Sequence, residues 1–321
     1  MTKEELLTKL QYFYDSEIGV SIYAILKSDP LSLVKLDIEG DAESGIQQMF
    51  LTSIKNMIIN NNELHLSLLS SSDDRNNTIY EYDLEYPEEF SLIDNLNSGT
   101  IPLFNYQTNS LSNIKAILIE LGNEEEQVIL YKTIMPVNVF TKDNYFLKLG
   151  VINLGVERNT TRFSKINDDF FRISSGFQFF KLSGTLFIYD LKSLESGFKF
   201  HDIIKNDSKK GIEAIKNLAI LANIEVLEEL VEDVTFARKL VKIATNSPVI
   251  QANIPNDQII NFCKEYPALK NKIKFNSSGD KIFLDTKVSK NLFIQLMLDN
   301  LLTSELTKFH YSSLAKDNLE T

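Results

Sequence analysis

Four short runs decide what this chain can fold into. Ile114–Leu121 (IKAILIEL), Val128–Thr133 (VILYKT), Phe177–Leu182 (FQFFKL) and Thr185–Tyr189 (TLFIY) are dense in β-branched and aromatic residues. Each is too short for a buried helix and too continuously apolar for a strand with one wet face. They therefore read as strands inside a sheet covered on both sides. GNEEEQ between the first two and Ser183-Gly184 between the last two are of hairpin length. Phe170–Ile173 reads as a further strand.

Helices must cover such a sheet, and the segments that follow read as helical. Leu227–Ile250 is the most amphipathic of them. Leu230, Val231, Val234, Phe236, Ala237, Leu240, Val241, Ile243 and Ala244 fill a broad apolar arc, and Glu228, Glu232, Thr235, Arg238, Lys239 and Lys242 fill the polar stripe. Glu229 and Asp233 are the only charges inside the arc, and Asn246 with Pro248 supplies the stop. Gly211–Ala222, Asp257–Tyr266 behind Asn256, and Lys290–Leu302 behind Ser289 are also expected helices. Lys272–Phe275 and Lys281–Leu284 form an expected hairpin around NSSGD.

Ahead of the sheet, Thr2–Asp15 reads as a helix with a Thr2/Glu5 capping box, Gly19–Leu26 and Leu31–Ile38 as strands, Ser44–Ile59 as a helix and Leu64–Leu69 as a short strand. Asn95–Asn113, rich in Asn, Ser, Thr and Gly, is the expected boundary. The expected class is α+β: a small N-terminal α+β lobe over residues 1–110, and a larger C-terminal lobe over 111–321 of mainly antiparallel sheet backed by helices.

Charge narrows the function. The net charge is −11, yet residues 201–321 hold 16 basic and 16 acidic residues, so the whole excess lies in residues 1–200. That argues against polyanion binding by the entire surface and leaves room for a basic face on the neutral part. Lys270, Lys272, Lys274, Lys281, Lys287 and Lys290 cluster on the expected hairpin and its flanks, and Arg238, Lys239 and Lys242 lie on the helical polar stripe. Such a set either neutralises phosphates without reading sequence or solubilises an edge strand. A second basic set, Arg158, Arg162, Lys165 and Arg172, is diluted by Asp168 and Asp169. Tyr80–Asp94 interleaves Tyr80, Tyr82 and Tyr86 with Glu81, Asp83, Glu85, Glu88 and Glu89. It reads as a solvated helix or edge strand, or as a docking surface for a basic partner.

Catalysis finds little footing. There is no G-x-S-x-G elbow, no glycine-rich phosphate cradle and no paired His spacing among His65, His201 and His310. The single cysteine, Cys263, excludes an internal disulfide and reads as a buried helix residue. Asp285-Thr286-Lys287 has the acid-x-Lys form of Mg²⁺ nucleases, but the pattern recurs at Asp190 and Asp207, about what chance gives in a chain with 44 acids. No cofactor or metal is expected. The N-terminus carries no signal-type apolar run and no segment is long enough to span a membrane, so a soluble cytoplasmic protein is expected.

The pieces IKAILIELG…VILYK, TLFIYDLKSLESGFKFHD, DVTFARKLVKIATNSPVI, GDKIFLDTK and LLTSELTKFHYSSLAK, in this order, resemble the KwaB family, the B subunit of the bacterial Kiwa antiphage system. The resemblance covers Ile114–Lys316, and the first 110 residues add little to it. It implies a non-enzymatic DNA-binding effector that works with a small membrane-embedded A subunit and blocks replication and expression of phage DNA. It carries over no catalytic residue. On this reading Tyr80–Asp94 would meet a basic cytosolic surface of the A subunit, and symmetric defence assemblies make a homodimer the expected state.

Overall fold

The computed structural model describes residues 1–71, 76–84, 86, 90–94, 96, 100–140, 154–156, 162–165, 169–197 and 200–313. They form two compact units, Met1–Asn62 with Glu88–Asp190, and Glu63–Pro87 with Leu191–Thr321. The class is α+β, with a mainly antiparallel sheet.

In the first unit six strands lie in the order Ser32–Lys35, Gly19–Leu26, Ile114–Gly122, Gln127–Thr133, Phe179–Leu182, Thr185–Ile188, and every neighbour is antiparallel. Two cross-strand rows show why these runs were continuously apolar. Ile22, Ile119, Leu130, Phe180 and Phe187 stand side by side across five strands, and so do Tyr23, Leu118, Tyr131, Phe179 and Ile188. Adjacent rows point to opposite faces, and all ten residues are buried. The sheet is therefore buried on both sides, as the composition of its strands demands. Tyr131 stacks on Phe179 at 4.1 Å and Phe180 on Phe187 at 5.1 Å. At the outer edge, Lys35 N donates to Pro102 O and Phe104 N to Lys35 O, both at 2.8 Å, so part of the expected boundary segment runs along the sheet.

Helix Lys3–Asp15 starts at the expected capping box, Glu5 N on Thr2 Oγ1 at 3.1 Å and Thr2 N on Glu5 Oε2 at 2.8 Å, and buries Leu6, Leu10 and Phe13. Helix Gly40–Ile54 packs on strand 19–26 and runs on as a π turn, Lys55–Ile59.

This unit carries a prediction for alkaline pH. The Tyr23 hydroxyl donates to Glu120 Oε2 at 2.9 Å, and burial, then the Glu120 charge, pushes it up to about 12. Burial pushes Tyr14, which donates to Leu51 O, up to about 12 as well. A folded pKa above the unfolded one means stability that is complete below the ordinary tyrosine value of 10.0 and lost as pH rises to about 12. The urea midpoint is expected to fall between about pH 9 and about pH 11.5, and to fall less in Tyr23→Phe.

The second unit pairs helix Phe200–Asn217 with helix Val234–Asn246 and adds helices Asn256–Glu265 and Lys287–Met297. Strands His65–Leu68 and Thr78–Glu81 pair in parallel. Two hairpins, Lys274–Phe275 with Ile282–Phe283 and Leu301–Thr303 with His310–Ser312, complete it.

Several expected boundaries move, each for a local reason. The 227–250 stretch is not one helix: it divides into Glu225–Glu228, a 3-10 turn Glu229–Glu232, Val234–Asn246 and, after the Ser247 cap, a short helix Pro248–Gln251 that Pro248 opens. Asp233 turns extended and its carboxylate accepts from the amides of Thr235 and Phe236 at 2.9 and 3.2 Å, capping a new helix instead of entering an apolar face. The helix expected at Gly211–Ala222 begins at Phe200 and ends at Asn217, before Ala219 takes φ 51°. The helix expected at Lys290–Leu302 is Lys287–Met297; Thr286 is its cap, Ser289 is buried at the third position, and Leu301 starts a strand. Asn256 is the first residue of its helix, and its amide donates to Leu218 O at 2.7 Å. Of the 170–173 run, Phe170–Phe171 pairs with Val139–Phe140, and Arg172 N donates to Asn138 O at 2.8 Å.

Candidate nucleic-acid interface

The first basic set singled out in the sequence lies in the second unit, on the hairpin with its flanking turn and on two helices, and polar side chains fix these elements. The hairpin is anchored from below. Segment 220–222 pairs with it, Ile282 N on Ile220 O at 2.9 Å and Ala222 N on Ile282 O at 2.8 Å. Buried Asn223 extends the pairing with its side chain, donating to Leu284 O at 2.8 Å and accepting from Leu284 N at 3.0 Å. Two residues on, Thr286 and Ser289 form a reciprocal cap, each side chain accepting the other's amide at 3.0 Å. That cap places Lys287 and Lys290 on the first turn of their helix. The Asp233 cap places Lys239 on the second turn of its own.

Lys239, Lys287 and Lys290 meet at one surface cavity of ≈ 250 Å³, whose wall also includes Asp233, Phe236 and Asn291. None of the three lysines forms an ion pair among the described residues, and the same holds for exposed Lys270 and Lys272. Lys272 and Lys274 are exposed on either side of buried Ile273, but the strand starts only at Lys274: Lys272 and Ile273 lie in a turn, their amides both donating to Leu269 O at 2.9 and 3.1 Å. Lys274 is engaged by Asp285 at 2.6 Å, and this contact holds the Asp285 carboxyl below the usual carboxylate range. Lys281 is half-buried beside Asp280, whose carboxyl is held low by hydrogen bonds from Ser278 and Asn276, with the Lys281 charge adding to them. Arg238 and Lys242 are half-buried on the 234–246 helix. Sequence reading missed Lys264: its ammonium lies 5.2 Å from the Phe275 ring and 3.4 Å from Gly279 O, so it joins the hairpin from the neighbouring helix.

The acidic–aromatic stretch divides. Glu85, Glu88 and Glu89 lie outside the described residues. Tyr80 and Tyr82 are buried, Glu81 is half-buried, and Asp83 accepts from Ser70 N at 2.9 Å and from Ser70 Oγ. Tyr86 is 44% exposed and meets Tyr82 edge-to-face at 5.4 Å. Of the second basic set, Arg158 and Asp168 lie outside the described residues. Cys263 is 1% exposed and burial pushes its thiol up to about 12, so it stays a neutral core residue. Asp285 of the acid-x-Lys motif is the partner of Lys274, and Lys287 belongs to the cavity. Among the described residues no helix is long and apolar enough to cross a membrane.

A family model described as "Kiwa protein KwaB-like" matches residues 111–307. Kiwa protein KwaB of Escherichia coli O55:H7 (strain RM12579 / EPEC) is 30% identical over 323 aligned positions that cover the whole of both chains, so the likeness extends through the first 110 residues as well. No solved structure matches the chain. By both measures the chain belongs to the KwaB-like family of Kiwa antiphage defence proteins.

Proposed function

We propose that this chain is a DNA-binding effector that holds the phosphate backbone of duplex phage DNA without catalysis, recruited to the inner face of the cell membrane by a membrane-embedded A-type Kiwa subunit and acting as a homodimer. The observation that carries the DNA reading is the gathering of cations on the neutral part of an otherwise acidic protein: Lys239, Lys287 and Lys290 about one cavity, and Lys270 and Lys272 exposed beside the hairpin without carboxylate partners among the described residues. Lysines of this kind release counterions from DNA and confer affinity without sequence readout.

Fluorescence anisotropy on a labelled duplex across a salt series tests this. Binding is expected to weaken steeply with salt. Lys270→Glu/Lys272→Glu is expected to weaken it about tenfold or more at ~0.1 M salt and to flatten the salt slope by about 2. Absence of binding at low salt, or an unchanged slope, sinks the proposal. The net charge of −11 and the exposed Tyr86 favour a second reading, a protein-only adaptor. Co-purification with a membrane protein and without nucleic acid is its expected signature.

A further inference from the structure

The place where Lys239, Lys287 and Lys290 meet is concave. Cations at its rim reach a duplex backbone, and a space of ≈ 250 Å³ also accepts a group that projects into it. Its charges also differ from those of a backbone-tracking stripe. The wall holds three lysines and one carboxylate, Asp233, for a net +2. A phosphodiester brings a single negative charge, while a phosphate monoester brings about −1.5 to −2 at neutral pH. Asp233 is already committed through Oδ1 to the amides of Thr235 and Phe236, so it lowers the site's charge without filling it. Lys287 opens its helix, where the backbone dipole favours an anion. Thr235 and Asn291 add neutral polar residues to the lining, and Leu230 with Phe236 adds apolar ones.

We propose that this cavity binds the phosphate monoester of a nucleotide, its phosphate on Lys239, Lys287 and Lys290 and its sugar or base against Leu230 and Phe236. The ligand is either the 5′-phosphorylated end of a DNA strand or a free nucleoside monophosphate. The strand-end form rests on the DNA reading above; the chemistry of the cavity does not.

The test uses the full chain and hairpin oligonucleotides that differ only in carrying a 5′-phosphate or a 5′-hydroxyl, with dAMP and inorganic phosphate as competitors. The phosphorylated form is expected to bind about tenfold tighter, a size typical of charge-assisted contacts. Lys239→Gln/Lys290→Gln is expected to erase that preference: the phosphorylated form weakens about tenfold more than the 5′-hydroxyl form, which loses only what the two lysines add to backbone binding. Asp233→Asn keeps a good helix cap and removes the opposing charge, so it is expected to tighten the phosphorylated form severalfold. Competition by dAMP assigns the site to free nucleotides; a preference for the phosphorylated end that dAMP does not displace assigns it to strand ends. Persistence of dAMP binding in Lys270→Glu/Lys272→Glu after duplex binding is lost shows the cavity standing without the backbone reading. Duplex binding with no end preference, and no displacement by dAMP or phosphate, overturns the cavity proposal and leaves the backbone reading intact. Equal effects of Lys239→Gln/Lys290→Gln on both oligonucleotides also overturn it.

Discussion

Replacing Gly211 by alanine is expected to cost about 3 kcal/mol or more and to lower the melting temperature by about 5 °C. Gly211 lies in helix Phe200–Asn217 where that helix crosses Val234–Asn246. A Cβ added there would stand 2.0 Å from Leu240 O, 2.7 Å from Leu240 C and 3.3 Å from Leu240 Cα. All three are backbone atoms of a regular helix, so no side chain can swing away and the two helices must move apart. Their separation opens the contact that buries Ile212, Ile215, Ala237, Leu240 and Val241. The intrinsic helix preference for alanine returns only about 1 kcal/mol. Gly45, in helix Gly40–Ile54, is the matched control, since nothing lies within 4 Å of its Cβ position. Gly45→Ala is expected to stabilise by about 0.5–1 kcal/mol. Thermal melts followed by circular dichroism read both. A Gly211→Ala protein that melts at or above the parent temperature contradicts the crossing.

The contrast between these two glycines shows where sequence reading stops. Both lie inside helices, and only the partner helix distinguishes them. The six-stranded core was legible because its physical requirement is local: a strand buried on both faces must be apolar at successive positions, as FQFFKL is. The break at Asp233 was half legible. Its charge fell inside the apolar arc, and that misfit was the mark of a cap rather than of a tolerated defect. Tyr80 and Tyr82 alternate with Glu81 and Asp83, a strand period that places the rings inside; their density of charge drew attention outward instead. The cationic cluster was legible residue by residue but not in its pairing. Lys274 and Asp285 lie eleven positions apart and meet because the hairpin folds back on itself. The cavity shared by Lys239 and Lys287 joins helices that no local pattern relates.

Asn223 carries the second large effect. The residue is 6% exposed and sits in no motif, yet both polar atoms of its side chain are bonded to the backbone of Leu284, which is 1% exposed. Asn223→Ala leaves a buried amide and a buried carbonyl without partners, and the loss is expected to be about 3 kcal/mol. Asn223→Asp gives a sharper test. Its carboxylate still accepts from Leu284 N but faces Leu284 O without a proton to donate, so burial and the opposing carbonyl raise its folded pKa above the ordinary aspartate value. A group with a raised folded pKa stabilises only while protonated, so the deficit of Asn223→Asp is expected to be largest near about pH 8 and to shrink as pH falls toward about pH 5. Asn223→Ala has no titrating group there and its deficit relative to the parent should stay level over the same range. Denaturant midpoints at the two pH values decide between these outcomes. Parallel curves for both variants would mean that the side chain of Asn223 does not grip Leu284. Because Leu284 leads directly into Asp285, Thr286 and Lys287, loosening it also frees the hairpin and the cap that position the lysines. Affinity for a duplex is therefore expected to fall in Asn223→Ala at temperatures where the protein remains folded, although Asn223 itself is buried away from any ligand.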